Sequence, residues 1–177
     1  MTEKKKSAAT EKKKKKAAAE KKMIVIVRVR GEVHVNADIE DTMRLLHLIR
    51  INNCVVIDTR PEYAGMVAKI KDYVTWGEVS PETFEKLLQK RGKVAGGHAL
   101  TDEYMKKNTK YATIKKFADD FMKFKAELKD AKGVKPVFKL SPPVKGYDRG
   151  GIKHPYSLGG ALGYRKEAIN ALIEKMI

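Results

Sequence analysis

The sequence has one cysteine, Cys54, and one tryptophan among its 177 residues. A single cysteine cannot form an internal disulfide or supply the paired thiolates of a zinc knuckle. No apolar run reaches the roughly 18 residues that span a bilayer. The Lys-rich start also lacks the apolar segment of a signal peptide. These absences predict an intracellular protein in which Cys54 is a small buried hydrophobic residue.

Motifs that carry catalysis are also missing. His34, His47, His98 and His154 are scattered, without the close pairing that a zinc site uses. The glycine-rich stretch 92–98 contains a lysine, but it follows a predicted helix and lacks the Gly-Lys-Ser or Gly-Lys-Thr of a phosphate-binding loop. There is neither a nucleophile elbow nor a dinucleotide-binding glycine motif. The sequence therefore predicts no enzyme, no metal site and no cofactor.

Acidic residues are too few to balance the basic ones, and the formal net charge is +16. Residues 1–22 carry ten Lys against three Glu, whereas residues 23–80 have a net charge of −1. Residues 81–132 and 133–177 each contribute +5. Such an excess usually indicates an anionic partner, and nucleic acid is the first candidate. A membrane surface is less suitable, because the cations are not confined to one amphipathic helix.

Residues 1–22 form a low-complexity arm of Lys, Ala and Glu, with no apolar side chain larger than Ala after Met1. Such a segment cannot bury a face, so we expect a disordered arm or, as the alternative, a fluctuating helix. A run of five like charges indicates an arm that binds nucleic acid, with a solubilising tail as the alternative. The run consists of Lys12, Lys13, Lys14, Lys15 and Lys16.

Residues 23–79 predict a β-α-β-α-β unit. A β-branched run at 23–30 and an apolar run at 54–58 predict the first two strands, and 73–76 predicts the third. Ile39, Met43, Leu46 and Ile49 have helical spacing between the first two strands. A second helix is expected from about 61 to 72, after a Thr-x-x-Glu capping box that begins at Thr59.

Four arginines of this unit are candidate RNA contacts. Arg28 and Arg30 share one face at the end of the first strand, where either a partner or solvent would meet them. Arg44 lies away from the apolar stripe of the first helix, and Arg50 is expected near that helix's C-terminus.

Residues 80–177 predict a helical extension with basic loops, packed on the unit. Ser80 begins a helix that should run to about Arg91, and a short helix is expected at 102–108. A longer helix follows, and the final helix spans approximately 165–176. The apolar stripe of the longer helix consists of Ile114, Phe117, Phe121, Phe124 and Leu128.

The stretch from Pro142 to Tyr156 mixes Pro and Gly with cations and aromatics, and it has no helix or strand pattern. Such a loop suits a phosphate surface with exposed bases, and an ordinary surface loop is the alternative. We expect its backbone to depend on RNA for order. Its candidate contacts are Lys145, Arg149, Lys153, His154 and Tyr156.

Two sets of residues carry a resemblance to a known family. The first set is Thr42, Met43, Leu46, Leu48, Arg50, Asn53 and Val55, followed by Met66, Val67, Ile70, Tyr73 and Val74. The second set is Gly159, Gly160, the run Leu162-Gly163-Tyr164-Arg165, and residues 169–173. Over residues 23–177 the chain resembles the large-subunit ribosomal protein "thirty" family in its long archaeal form, whose eukaryotic relative is ribosomal protein "seven".

The resemblance implies an α+β, ferredoxin-like unit with an antiparallel three-stranded sheet in the order 3-1-2 and helices on one face. It also implies a structural, non-catalytic role in the cytoplasmic ribosome, binding large-subunit ribosomal RNA beside neighbouring ribosomal proteins, with no membrane and no small-molecule substrate. Arg165 joins the candidate RNA contacts on this basis. An RNA-modifying or RNA-processing enzyme and a DNA-compacting architectural protein are the competing hypotheses.

Overall fold

The computed structural model describes residues 22–128 and 130–177, so the predicted arm, apart from Lys22, lies outside the described residues. The described part is an α+β fold with five strands and six helices. The strands are β1 (Met23–Arg28), β2 (Asn53–Asp58), β3 (Val74–Glu78), β4 (Val137–Lys139) and β5 (Gly163–Tyr164). The helices are α1 (Ala37–Leu45), α2 (Pro61–Lys69), α3 (Pro81–Arg91), α4 (Asp102–Asn108), α5 (Ile114–Met122) and α6 (Ala168–Met176).

One sheet contains all five strands, in the order β4-β2-β1-β3-β5. Its centre is antiparallel, with Val25 of β1 opposite Val56 of β2 and Gly77 of β3, as the order 3-1-2 requires. The expectation of a three-stranded antiparallel sheet was incomplete. β4 extends the sheet antiparallel beside β2, and β5 extends it parallel beside β3, so the sheet is mixed. Strands of three and two residues carry no alternating pattern long enough to reveal them in the sequence.

Helices cover both faces of the sheet, because alternate residues of the central strands point in opposite directions. Ile26 and its neighbours on one face pack against Met43 of α1 and Val67 of α2. The helices of the β-α-β-α-β unit therefore share one face. Val25 and Val27 point to the other face, where the helices of the C-terminal half pack. That second core layer makes one folded body of residues 23–79 and the extension.

Aromatic stacking and helix caps order the second layer. Phe84 of α3 stacks on Phe121 of α5 with ring centroids 4.8 Å apart, and such pairs add about 0.5–1.5 kcal/mol beyond the area buried. Ser80 caps α3 by accepting a hydrogen bond of 3.2 Å from the backbone N–H of Thr83, which confirms the predicted helix start. Thr101 and Thr113 cap α4 and α5 in the same way.

Three predicted element boundaries were wrong. The first helix ends at Leu45, and the 55% exposed Ile49 lies beyond it while Leu48 is buried. Thr59 does not cap α2, because its hydroxyl accepts the backbone N–H of Lys22 instead. The apolar stripe of α5 ends early: the helix stops at Met122, and Phe124 has a left-handed backbone with φ of 58°. In each case a tertiary contact or turn overrides the local pattern.

Candidate nucleic-acid interface

Arg165 lies nine residues beyond the predicted basic loop in sequence, contacts Asp148 and Tyr156 of that loop, and has a buried side chain. Its Nε donates to the Thr75 hydroxyl at 3.0 Å, one Nη donates to the Asp148 carboxylate at 2.7 Å, and the other donates to the Ala161 carbonyl at 3.1 Å. The guanidinium also lies over the Tyr156 ring, 4.5 Å from its centroid. The expectation that Arg165 contacts RNA was therefore wrong, because the fold itself occupies its donors. Tyr156 is half-buried, with one face of its ring covered by Arg165.

The loop has its own backbone hydrogen bonds. Gly150 donates to the Gly159 carbonyl at 3.0 Å, and Leu162 donates to the His154 carbonyl at 3.1 Å. Gly160 must lack a side chain, because a Cβ there would lie 2.1 Å from that same His154 oxygen. The loop is a hydrogen-bonded structure attached to β3 by Arg165, and these bonds argue against the expectation that its backbone depends on RNA for order.

Basic side chains project outward from this hydrogen-bonded loop. Lys145, Arg149, Lys153 and His154 are all exposed. Across residues 22–128 and 130–177, no ion pair joins any of the four to a carboxylate. The charges of Lys145, Arg149 and Lys153 are therefore available to an external anion, and His154 adds an exposed imidazole beside them.

The turn before β2 lies against the same loop. The Tyr147 hydroxyl donates to Asn52 Oδ1 at 3.2 Å, and Arg50, two residues before Asn52 in the same turn, is exposed. Arg50 lies five residues beyond the end of α1, so its predicted place near that helix's C-terminus was wrong. Lys139 of β4, opposite Asn53, adds another exposed cation beside this turn. The sequence analysis missed Lys139 because a strand of three residues leaves no pattern.

Arg28 is not available to RNA, which corrects the prediction for the end of β1. Its side chain is 1% exposed and donates to the carbonyls of Arg30 at 2.9 Å and Leu48 at 2.8 Å, and to that of Ile49. Burial lowers the pKa of this guanidinium, against the opposing effect of Glu32. Arg28 therefore serves the fold by holding the 48–49 turn against the end of the sheet.

Arg30 and Arg44 are partly engaged within the protein. Arg30 is half-buried, lies 5.0 Å from the centroid of the Tyr73 ring and donates to the backbone carbonyl of Asp72 at 3.1 Å. Arg44 is exposed but forms ion pairs with Glu40 at 3.2 Å and Asp41 at 3.5 Å. Fewer of their donors are therefore left to bind an external phosphate than in the exposed lysines and arginine of the basic loop.

Other kinds of site were also sought in the described part of the chain. It contains no group of three or more His, Cys, Asp or Glu residues arranged to hold a metal ion. No helix within it has the length and apolar character needed to cross a membrane. The cationic surface is therefore the main candidate for function, and we define it as the basic face: Arg50, Lys139, Lys145, Arg149, Lys153 and His154.

Fold and surface together define a basic α+β protein built on a β-α-β-α-β unit. Residues 24–74 match the family model described as ribosomal protein L30p/L7e. The chain is 58% identical over 149 residues to the large ribosomal subunit protein uL30 of Methanopyrus kandleri, covering 84% of this chain and all of that protein.

Two further archaeal relatives bear the same name. The protein of Methanococcus vannielii is 49% identical over 152 residues, which cover 86% of this chain and 97% of that protein. The protein of Methanosphaera stadtmanae is 47% identical over 152 residues, covering 86% of this chain and 98% of that protein. The chain therefore belongs to the ribosomal protein L30p/L7e family. This membership confirms the expectation that it is not an enzyme, because the family consists of structural ribosomal proteins.

Proposed function

We propose that this protein is a structural component of the large subunit of the cytoplasmic ribosome and binds large-subunit ribosomal RNA through the basic face. Neighbouring ribosomal proteins are its other partners. The observation that carries the proposal is a set of exposed cations, without carboxylate partners in the described residues, on a loop that the fold already orders. Family membership supports the ribosomal setting.

The mechanism is phosphate neutralisation by a preorganised surface. Each Lys or Arg that meets a phosphate releases condensed counterions, which favours binding and makes it salt-dependent. Because Arg165 and the backbone bonds already order the loop, RNA binding does not have to supply that conformational free energy. Interactions of this kind position RNA segments and select little by base sequence.

Lys12 to Lys16 extend this proposal to the arm, which lies outside the described residues. A run of five like charges suits a polyanion, and the same counterion argument applies to it. Arg30 and Arg44 are secondary contacts, because part of their bonding capacity is already used within the protein.

A triple substitution tests the basic face. Changing Lys145, Arg149 and Lys153 to Ala should weaken binding to a large-subunit RNA fragment and lower the log-log salt slope by up to about 0.9 for each phosphate that is no longer neutralised. Affinity is measured at several salt concentrations, and a thermal melt of the free protein checks the fold. We expect the melting temperature to change little, because all three side chains are exposed.

A matched control removes the same charge elsewhere. Lys106 and Lys107 on α4 and Lys116 on α5 are exposed, and their joint change to Ala also removes three cations. The control should retain most of the salt slope. Equal reductions of affinity and slope in the two triple variants would show that only net charge matters and that the basic face is not the RNA interface.

A further inference from the structure

A groove of about 440 Å³ lies beside the outer edge of β2, and none of the six basic-face residues lines it. Val55 is the last β2 residue paired with β4, so the edge is open from Val56 to Asp58 among the described residues. One wall carries Leu45 and Tyr63 from the layer of α1 and α2, and the other carries Phe124 from the segment after α5. The groove therefore opens between the two helical layers.

The edge has a defined reason to be open. The register that pairs Cys54 with Phe138 would place Val56 opposite Pro136, which has no backbone N–H to donate. The same register would place Val134 opposite Asp58, but Val134 is already turned away, because its N–H donates to Ala131 at 3.1 Å and it bridges to Val94. β4 therefore cannot continue along β2, and polar backbone groups of Val56 and Asp58 face the groove.

Two large apolar side chains flank this edge in exposed positions. Leu45 is 68% exposed on one wall and Phe124 is 39% exposed on the other. Phe124 is held there by a left-handed backbone, with φ of 58°, which a bulky residue rarely adopts. An open strand edge between apolar walls is the geometry in which an extended peptide adds a strand to a sheet.

Charge selects among possible occupants. The groove is lined by two carboxylates, Asp58 and Glu127, and by one guanidinium, Arg60. These side chains give the groove an excess of negative charge on a chain whose net charge is +16. Arg60 contacts one oxygen of Asp58, whereas the other, Oδ1, is buried without a hydrogen-bond partner among the described residues. A buried unpaired carboxylate oxygen is costly and is satisfied by an incoming N–H or cation. Phosphates would be repelled here.

We propose that this groove receives an extended segment of a basic neighbouring protein, which adds a strand to the free edge of β2 and places a cation near Asp58 and Glu127. The inference rests on the proposed ribosomal function for the presence of such a neighbour. It assigns two separate sets of residues to different partners, with RNA on the basic face and protein at the β2 edge.

Site-specific photo-cross-linking in purified large subunits tests the assignment. A benzoylphenylalanine is placed at Phe124 in one preparation and, as a matched control, at Leu158, which is 74% exposed and lies two residues beyond the basic loop. We expect the probe at 124 to cross-link to a protein segment with net positive charge, identified by mass spectrometry, and the probe at 158 to cross-link to RNA.

Other results at position 124 overturn the assignment. Cross-linking to RNA, to residues 1–21 of the same chain, to an acidic segment or to nothing would each do so. Absence of the unmodified chain from the large subunit would instead overturn the proposed function, so the two failures are distinguishable.

A peptide copied from the cross-linked segment then tests the role of charge. Its affinity for the full chain should fall about tenfold with Asp58→Asn, since a hydrogen bond to a charged group contributes about 1.5–3 kcal/mol. Glu174→Gln on α6, far from the groove in sequence, should leave the affinity unchanged. If Asp58→Asn fails a thermal-melt check, Glu127→Gln replaces it, with an expected reduction of up to about fivefold. An unchanged affinity would refute the electrostatic selection.

Discussion

Replacing Arg165 by Met should destabilise the basic loop because the change leaves buried acceptors unpaired. The change removes donors from the Thr75 hydroxyl, the Asp148 carboxylate and the Ala161 carbonyl. Removing one partner of a buried ion pair lowers the free energy of unfolding by about 3–5 kcal/mol, because the other charge is left uncompensated. Asp148 is 44% exposed and can be rehydrated, so we expect the lower end of that range, about 3 kcal/mol.

Hydrogen exchange and urea unfolding measure this destabilisation. A cost of about 3 kcal/mol corresponds to roughly hundredfold faster exchange of the Ala161 and Leu162 amides, whether the loop opens alone or with the whole fold. If the opening is global, the melting temperature falls by about 6–12 °C. Arg149→Met is the control: it removes the same charge from an exposed position of the same loop and should change stability by less than about 0.5 kcal/mol.

RNA binding separates the structural role of Arg165 from a direct role in binding phosphate. Arg165→Met should weaken binding to the RNA fragment at every salt concentration, because loop ordering would then oppose association. The salt slope should stay unchanged, since Arg165 touches no phosphate in this proposal. Arg149→Met should lower the slope by up to about 0.9. Indistinguishable stability and salt behaviour in the two variants would refute the reasoning.

Three further predictions concern the scaffold. Gly77→Ala should lower the free energy of unfolding by more than about 2 kcal/mol in urea, because the new Cβ would lie 2.1 Å from a backbone oxygen. Gly65→Ala should raise it by about 0.5–1 kcal/mol, because Gly65 is a helical residue of α2 with open space around its Cβ position. The hydrogen bond from Lys22 lowers the pKa of Glu78, so the stability that this ion pair contributes is present at neutral pH and is lost as the pH falls through the lowered pKa. In Lys22→Met, NMR titration should give a higher pKa for Glu78 than in the unsubstituted chain. Burial raises the pKa of the Cys54 thiol, so a thiol reagent should label it only after denaturation.

Much of the β-α-β-α-β unit could be predicted because its signals are local. A β-branched run defines β1, and in the extension Ser80 followed by Pro81 defines the start of α3 in the same local way. The exposure of Arg28 was misjudged because strand alternation shows only on which face of the sheet a side chain lies. It does not show that the backbone carbonyls of the 48–49 turn cover the Arg28 side chain on that face. β5 was missed because its pairing with β3 comes from residues 88 positions apart.

The candidate site was harder to predict than the fold. Composition identified the exposed Lys145 and Arg149 correctly as surface cations, because charge on a Pro- and Gly-rich segment rarely enters a core. It could not separate them from Arg165, which has the same chemistry and only four residues between it and the Gly-Gly pair. Only the tertiary interactions with Thr75 and Tyr156 show that Arg165 belongs inside.

The outer strands of the sheet also bear on how the chain emerges from the ribosome that synthesises it. Cys54 and Thr75 can pair with Val27 of β1 early, but their outer partners, Phe138 and Gly163, are made much later, so both outer edges of the central sheet are covered late. Until then β2 and β3 present bare edges, which invite pairing with other chains. Pairings this distant also slow folding, because long loops must close before the strands can meet. During synthesis the β-α-β-α-β unit is therefore complete for a long interval in which its exposed strand edges make it prone to aggregate. Chaperones or early assembly would act in that interval.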